Sequence, residues 1–218
     1  MLGLLLGLPE MAPIRVLAIG AHPDDIEIGC GGTLMRLAES GAMAEVCWVV
    51  LSGEDDRAAE AEASARALLR NSVDGQVIVR DFADGFFPYD GREIKRFFED
   101  LKADMSPNVI FTHQRHDLHQ DHRLSCELTW NTFRDHFILE YEVPKYDGDM
   151  GRPNMFVPLD QDLCQRKITH LMTYFASQLQ KRWFKEDLFS GLLRLRGMEC
   201  NSPTSFAEAF YSRKAVLA

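Results

Sequence analysis

Apolar and polar positions along the chain fall into short continuous runs separated by stretches of helical spacing. Ile14–Gly20 (IRVLAIG) is an apolar run of the kind that forms a buried parallel strand. It ends at residues 21–25 (AHPDD) and a glycine cluster, Gly29-Cys30-Gly31-Gly32. Leu34, Met35 and Leu37 then carry helical spacing over 33–40, closed by Gly41. A strand over 44–51, an Ala-rich helix over 57–70 and a strand over 76–81 follow. Ile94, Phe97, Phe98 and Leu101 form one apolar face, which predicts a helix over 92–103. Residues 108–112 (NVIFT) predict another buried strand and 120–137 another helix.

Beyond Leu139 the rhythm breaks. Residues 141–159 hold Pro144, Gly148, Gly151 and Pro153 among acidic, basic and aromatic side chains, which predicts a long loop able to act as a lid or binding loop. Helices over 163–180 and 187–196 and a strand at Phe206–Tyr211 complete the pattern. Strands alternating with helices predict an α/β fold: a doubly wound, mostly parallel, Rossmann-like sheet in a single domain. Residues 1–12 read as a short extension, 13–218 as the domain, and 141–160 as its substrate loop.

Length and composition narrow the function. A chain of 218 residues with 46% apolar and 26% charged side chains buries a sizeable core. Its net charge of -9 excludes a general nucleic-acid binder, which needs a basic face to displace counterions. The five cysteines form no C-x-x-C pair and read as reduced, buried thiols. The apolar stretch at 1–8 is too short to span a bilayer and has no basic residue before it. A cytoplasmic protein without membrane or nucleic-acid partners is expected, and a broad apolar face on the 163–180 helix leaves room for a homo-oligomer.

Chemistry concentrates in two segments, each directly after a predicted strand: 21–25 (AHPDD) and 113–122 (HQRHDLHQDH). In open α/β sheets ligands bind beyond the carboxyl ends of the strands, where both segments lie. Catalytic zinc takes three His or carboxylate ligands and keeps a position open for water. His22 and one of Asp24 and Asp25 can supply two ligands from one turn. His119 and His122, three apart at a helix start, share a face, so that one completes the ligand set and the other serves as acid or hydrogen-bond donor. Zinc, iron and cobalt all accept such ligands. The glycine cluster lacks G-x-G-x-x-G, and no G-x-S-x-G is present, which removes a dinucleotide site and a serine nucleophile.

Together these segments resemble the PIG-L/LmbE-like family of zinc-dependent N-deacetylases, which pairs A-H-P-D-D and a following Gly-Gly with a later H-x-D-H. Here these are residues 21–25 with Gly31-Gly32, and His119-Gln120-Asp121-His122. Ser52-Gly53-Glu54 with Arg57 and Glu60 resembles the family's intermediate region. The resemblance implies one Zn2+ held by His22, Asp25 and His122, with Asp24 as general base. It implies His119, oriented by Asp121, as stabiliser of the tetrahedral intermediate, and Arg57 as a substrate-binding residue. Asp147 and Arg152 of the loop are further candidates for holding sugar hydroxyls. The expected reaction frees acetate and an amine from an N-acetylated sugar or its conjugate. The alternatives are a metal-dependent amidase or esterase on another acyl substrate, and a zinc-binding protein without catalysis.

Overall fold

The computed structural model describes residues 13–69 and 74–216. Its core is a seven-stranded sheet in the order β3-β2-β1-β4-β5-β7-β6. Strands β1 (Ile14–Gly20), β2 (Met43–Val50), β3 (Asp74–Val79), β4 (Val109–His113) and β5 (Phe137–Tyr141) run parallel. Strands β7 (Phe206–Tyr211) and β6 (Met155–Leu159) close one edge antiparallel. The sheet is therefore the mostly parallel, doubly wound one expected.

Successive residues of β1 and β2 face opposite sides of the sheet, and both sides are dry. Val16, Ala18, Val46, Trp48 and Val50 join one core with the helices α1 (Asp25–Glu39), α2 (Asp55–Leu68), α5 (Gln161–Tyr174) and α6 (Glu186–Glu199). Leu17, Ile19, Cys47 and Val49 join a second core with α3 (Gly91–Asp104) and α4 (Gln120–Thr132). Burial on both faces is why these strands read as unbroken apolar runs rather than alternating ones.

Four stretches differ from the sequence reading. The helix expected over 33–40 begins at Asp25, so Gly29, Gly31 and Gly32 lie inside α1. Glycine is required at 29 because a Cβ there would sit 2.1 Å from Cδ2 of Tyr141. The helix backbone therefore packs directly against the Tyr141 ring at the end of β5. The helix expected over 120–137 stops at Thr132, and Phe137 onward pairs with β4 as β5. Its apolar content continues across the break, and short apolar runs do not distinguish helix from strand. Part of the expected loop is β6, whose Pro158 is tolerated because that strand is the sheet edge. The helix expected over 163–180 ends at Tyr174, followed by a 3₁₀ turn at Ala176–Gln178. The reading of 1–12 as an extension, and Arg70 as a helix end, lie outside the described residues.

Two buried ion pairs fasten the antiparallel edge to the rest. Lys167 of α5 meets Glu208 of β7 at 2.6 Å, and that carboxylate also takes the N–H groups of Gly32 and Thr33. Arg196 of α6 holds Glu142, which in turn accepts from Gly151 N–H and the Tyr211 hydroxyl. The 142–154 loop is thereby fixed to the body at its root and near its end.

The Tyr141 hydroxyl, packed over Gly29, donates to the Ile19 carbonyl at 2.7 Å. Gly29→Ala is expected to force that ring aside and cost about 1–3 kcal/mol of stability. The urea midpoint measures this, and an unchanged midpoint would show that α1 does not need the close approach.

Candidate active site

The order of strands reverses between β1 and β4, and the crevice beyond their carboxyl ends is where such sheets bind ligands. His22 and Asp24 follow β1, Asp25 opens α1, His113 ends β4, and His119 caps the start of α4 two residues before Asp121. Asp84 enters from the loop after β3, and Arg57 from the first turn of α2. Side chains more than 80 residues apart in sequence thus meet at one crevice because two neighbouring strands end there.

Hydrogen bonds on the outer side of each histidine fix its tautomer. His122 Nδ1 lies 3.0 Å from the buried Asp117 carboxylate, which places the proton on Nδ1 and leaves Nε2 as a lone pair. His22 Nε2 lies 3.2 Å from Asp121 and 3.0 Å from Asp84, which places a proton on Nε2 and turns Nδ1 inward, where it can ligate once a metal displaces any proton it holds. Asp121 is held by the N–H groups of Gly85 and Phe87. The two inner nitrogens and one Asp25 oxygen then face one another: His22 Nδ1 to His122 Nε2 is 3.2 Å, His22 Nδ1 to Asp25 Oδ2 is 3.4 Å, and His122 Nε2 to Asp25 Oδ2 is 3.5 Å. Three such atoms at van der Waals distance repel unless a cation lies among them, either a metal ion or a proton on His22. Burial disfavours that proton, but hydrogen bonds to Asp121 and Asp25 outweigh it and raise His22 well above its ordinary value. Zinc–ligand bonds of about 2.0–2.1 Å at tetrahedral angles put ligand atoms about 3.3–3.4 Å apart. The donor set fits a zinc ion in kind and in spacing.

Other groups of metal-ligating type overlap this one: His22 with His119 and His122; His22 with Asp84, His119 and Asp121; and Asp25 with His113 and His122. His113 Nε2 already accepts the Ala21 N–H at 2.9 Å, so its lone pair is engaged. His119 Nδ1 accepts the Asp121 N–H at 3.3 Å, which leaves Nε2 carrying the proton. That makes His119 a donor rather than a ligand.

Electrostatics separate the two adjacent aspartates. Burial, then the charge of Asp25, pushes Asp24 well above the ordinary carboxylate range. Burial acts the same way on Asp25, but His122 and His113 outweigh it and hold Asp25 well below that range. Burial and neighbouring His113 push His122 down to about 4, so it is neutral and able to ligate at pH 7. Burial and the His22 charge also lower His119. Asp24 has a φ of 96°, a left-handed conformation rare outside glycine, and its Oδ2 is buried with no hydrogen-bond partner. Strain and an unsatisfied acceptor at one residue are hallmarks of a reactive group.

The crevice brings together His22, Asp24, Asp25, His119, Asp121, His122 and Arg57. Arg57 donates to the Pro23 carbonyl at 2.9 Å and lies 3.6 Å from Asp24. Asp121 meets His119 only through its main-chain N–H, while its carboxylate orients His22. Asp147 and Arg152 are exposed and make no hydrogen bond or ion pair among the described residues. His116 is exposed, and His170 bonds Ser64 at 2.8 Å.

The sequence reading missed three residues here. Asp117 orients His122, Asp84 bonds His22, and Lys145 joins Asp117 at 2.9 Å to Asp149 at 2.6 Å. Asp117 sat in plain view, five residues before a candidate ligand. Asp84 and Lys145 had no signal, because only the fold brings their loops to the crevice.

Residues 17–133, more than half of the chain, match the family PIG-L, described as GlcNAc-PI de-N-acetylase. The chain belongs to the PIG-L family. It is 32% identical over 136 residues to the uncharacterized deacetylase YaiS of Escherichia coli K12, covering 59% of this chain and 74% of YaiS. Its fold matches that of the N,N'-diacetylchitobiose deacetylase of Pyrococcus horikoshii with a TM-score of 0.71 at 21% identity, over 95% of this chain and 86% of that one. It also matches GalB, the 4-carboxy-2-hydroxymuconate hydratase of Pseudomonas putida KT2440, with a TM-score of 0.76 at 18% identity, over 94% and 98% of the two chains. This PIG-L fold therefore serves more than one reaction, and the side chains of the crevice carry the functional argument.

Asp117→Asn is expected to weaken zinc binding about 10- to 100-fold by loosening the orientation of His122. Competition with a chromogenic chelator measures it. Equal affinity in the variant would remove Asp117 from the support of the site.

Proposed function

We propose that this PIG-L protein hydrolyses the N-acetyl group of an amino sugar or amino-sugar conjugate, releasing acetate and a free amine, with one Zn2+ held by His22, Asp25 and His122. The observation that carries the reading is the trio of inward-facing ligand atoms 3.2–3.5 Å apart beside the strained, unpartnered carboxylate of Asp24. A structural zinc site is closed by four ligands and has no use for a free base at its side. That favours catalysis over storage or scaffolding.

Zinc bound there would act as a Lewis acid on the amide carbonyl and acidify water to near neutral pH. Asp24 takes the proton from the attacking water, and its raised affinity for protons suits a base that must later give the proton up. His119, neutral with Nε2–H free, donates to the oxyanion that forms as the carbonyl carbon becomes tetrahedral. When the C–N bond breaks, the proton held by Asp24 passes to the leaving amine, so atoms and charge balance. Asp121 and Asp117 keep His22 and His122 in the tautomers that face inward.

At the mouth, Arg57 and Asp84 lie 3.9 Å apart and offer a donor and an acceptor for neighbouring sugar hydroxyls. The hydrogen bond from His22 and the Arg57 charge hold Asp84 down to about 2, so it stays ionised as an acceptor. Asp147 and Arg152 stand exposed on the 142–154 loop, where a larger conjugate would meet them. No helix of the described residues is long and apolar enough to cross a membrane. The five cysteines are free and buried, in keeping with a cytoplasmic setting.

Asp24→Asn is expected to lower acetate release from N-acetylated sugars by about 10²–10⁴-fold while zinc content stays at one per chain. A coupled acetate assay alongside metal analysis measures both. Undiminished turnover would take the base role from Asp24.

A further inference from the structure

Ten large apolar side chains are exposed among the described residues, and half of them stand on the three loops that border the crevice: Phe86, Tyr89, Leu118, Tyr146 and Met150. Each is tied to a residue that the site holds in place. Phe86, 58% exposed, lies between Gly85 and Phe87, whose N–H groups both go to Asp121. Its backbone is therefore pinned on both sides to a carboxylate of the site, and Gln120 of α4 also donates to the Gly85 carbonyl. Tyr89 is 82% exposed with its ring 6.0 Å from that of Phe86. Leu118 separates Asp117 from His119, and Asp149 takes its N–H at 2.7 Å. Tyr146 follows Lys145, which is paired with Asp117; Met150 follows Asp149.

Solvent-facing aromatics on a mobile loop tip would cost entropy to immobilise. Here the backbone beneath them is already held, so an apolar group that settles on them gains their area without the cost of ordering the loops. Scattered exposed apolar residues need no explanation, but a cluster around a crevice marks a binding surface. The polar groups that suit sugar hydroxyls, Arg57 and Asp84, contact Asp24 and His22 directly.

We propose that these loops form an apolar subsite for the group attached to the acetamido sugar, selecting a ring-sized aromatic or branched-alkyl aglycone over a bare or methylated sugar. The proposal rests on the deacetylase reading for the position of the sugar, with the acetamido group at Asp24 and the anomeric substituent directed outward. Phe86 is its central specificity-determining residue because it is the one with both neighbours bound to Asp121.

The test compares the methyl and benzyl glycosides of N-acetylglucosamine on the zinc-reconstituted full chain, with calorimetric binding and acetate release measured side by side. The benzyl compound is expected to bind about tenfold more tightly, the gain for partly burying one added ring. In Phe86→Ala, and separately in Leu118→Ala, the benzyl-to-methyl affinity ratio is expected to fall toward one. Both positions are solvent-facing, so neither truncation opens a core cavity, and a thermal melt checks that both variants are folded. Equal affinities for the two glycosides in the wild-type chain, or binding of neither, would overturn the subsite. A tenfold ratio without acetate release would leave the subsite standing and remove the deacetylase reading. Acetate release with equal affinities would do the reverse.

Discussion

Two imidazole nitrogens and a carboxylate oxygen are held facing one another at 3.2–3.5 Å, and most of the molecule can be understood as the apparatus that keeps them there. Left to themselves, these groups would turn away or take up a proton. Asp117 and Asp121 prevent the turn by holding the outer nitrogens of His122 and His22, and they are in turn held by Lys145 and by the Gly85 and Phe87 N–H groups. The adjacency of β1 and β4 is needed because it sets His22 and Asp25 against a segment that follows nearly a hundred residues later. The left-handed turn at Asp24 is needed because it frees that carboxylate while Asp25 enters the helix and the centre.

The carboxylates around the crevice outnumber its permanent cations. Asp24, Asp25, Asp84, Asp117 and Asp121 are balanced by Arg57 and Lys145 and by whatever charge His22 carries, and four of the five are buried. A dication at the centre would offset part of that excess. The same balance joins stability to function, since Lys145 is both the counter-ion of Asp117 and a root of the 142–154 loop. That loop is bound a second time through Glu142 and Arg196, so the edge of the substrate crevice is attached to the antiparallel end of the sheet.

The first four strand–helix units, up to α4, were largely legible in the chain, because strands buried on both faces write themselves as apolar runs. The glycine-rich start of α1 was not: Gly29 answers to Tyr141 and Gly32 to Leu159 and Glu208, partners over a hundred residues away. Nor was β5, whose apolar residues continue those at the end of α4, or β6, hidden by a proline that only an edge strand permits. Within the site, the inner side chains were legible because they come in two compact clusters, each after a strand. The outer groups were less so. Asp84 and Lys145 lie in loops with no periodicity, and their roles exist only once three separate loops converge. Asp147 and Arg152 have the right chemistry for a sugar, yet no contact draws them inward.

Anomalous diffraction at the zinc edge, from crystals of the zinc-reconstituted chain, tests the central geometry most directly. One strong peak about 2.0–2.2 Å from His22 Nδ1, an Asp25 oxygen and His122 Nε2 is the predicted result. A peak ligated instead by Asp84 and His119, or the absence of any peak beside Asp25, would contradict it.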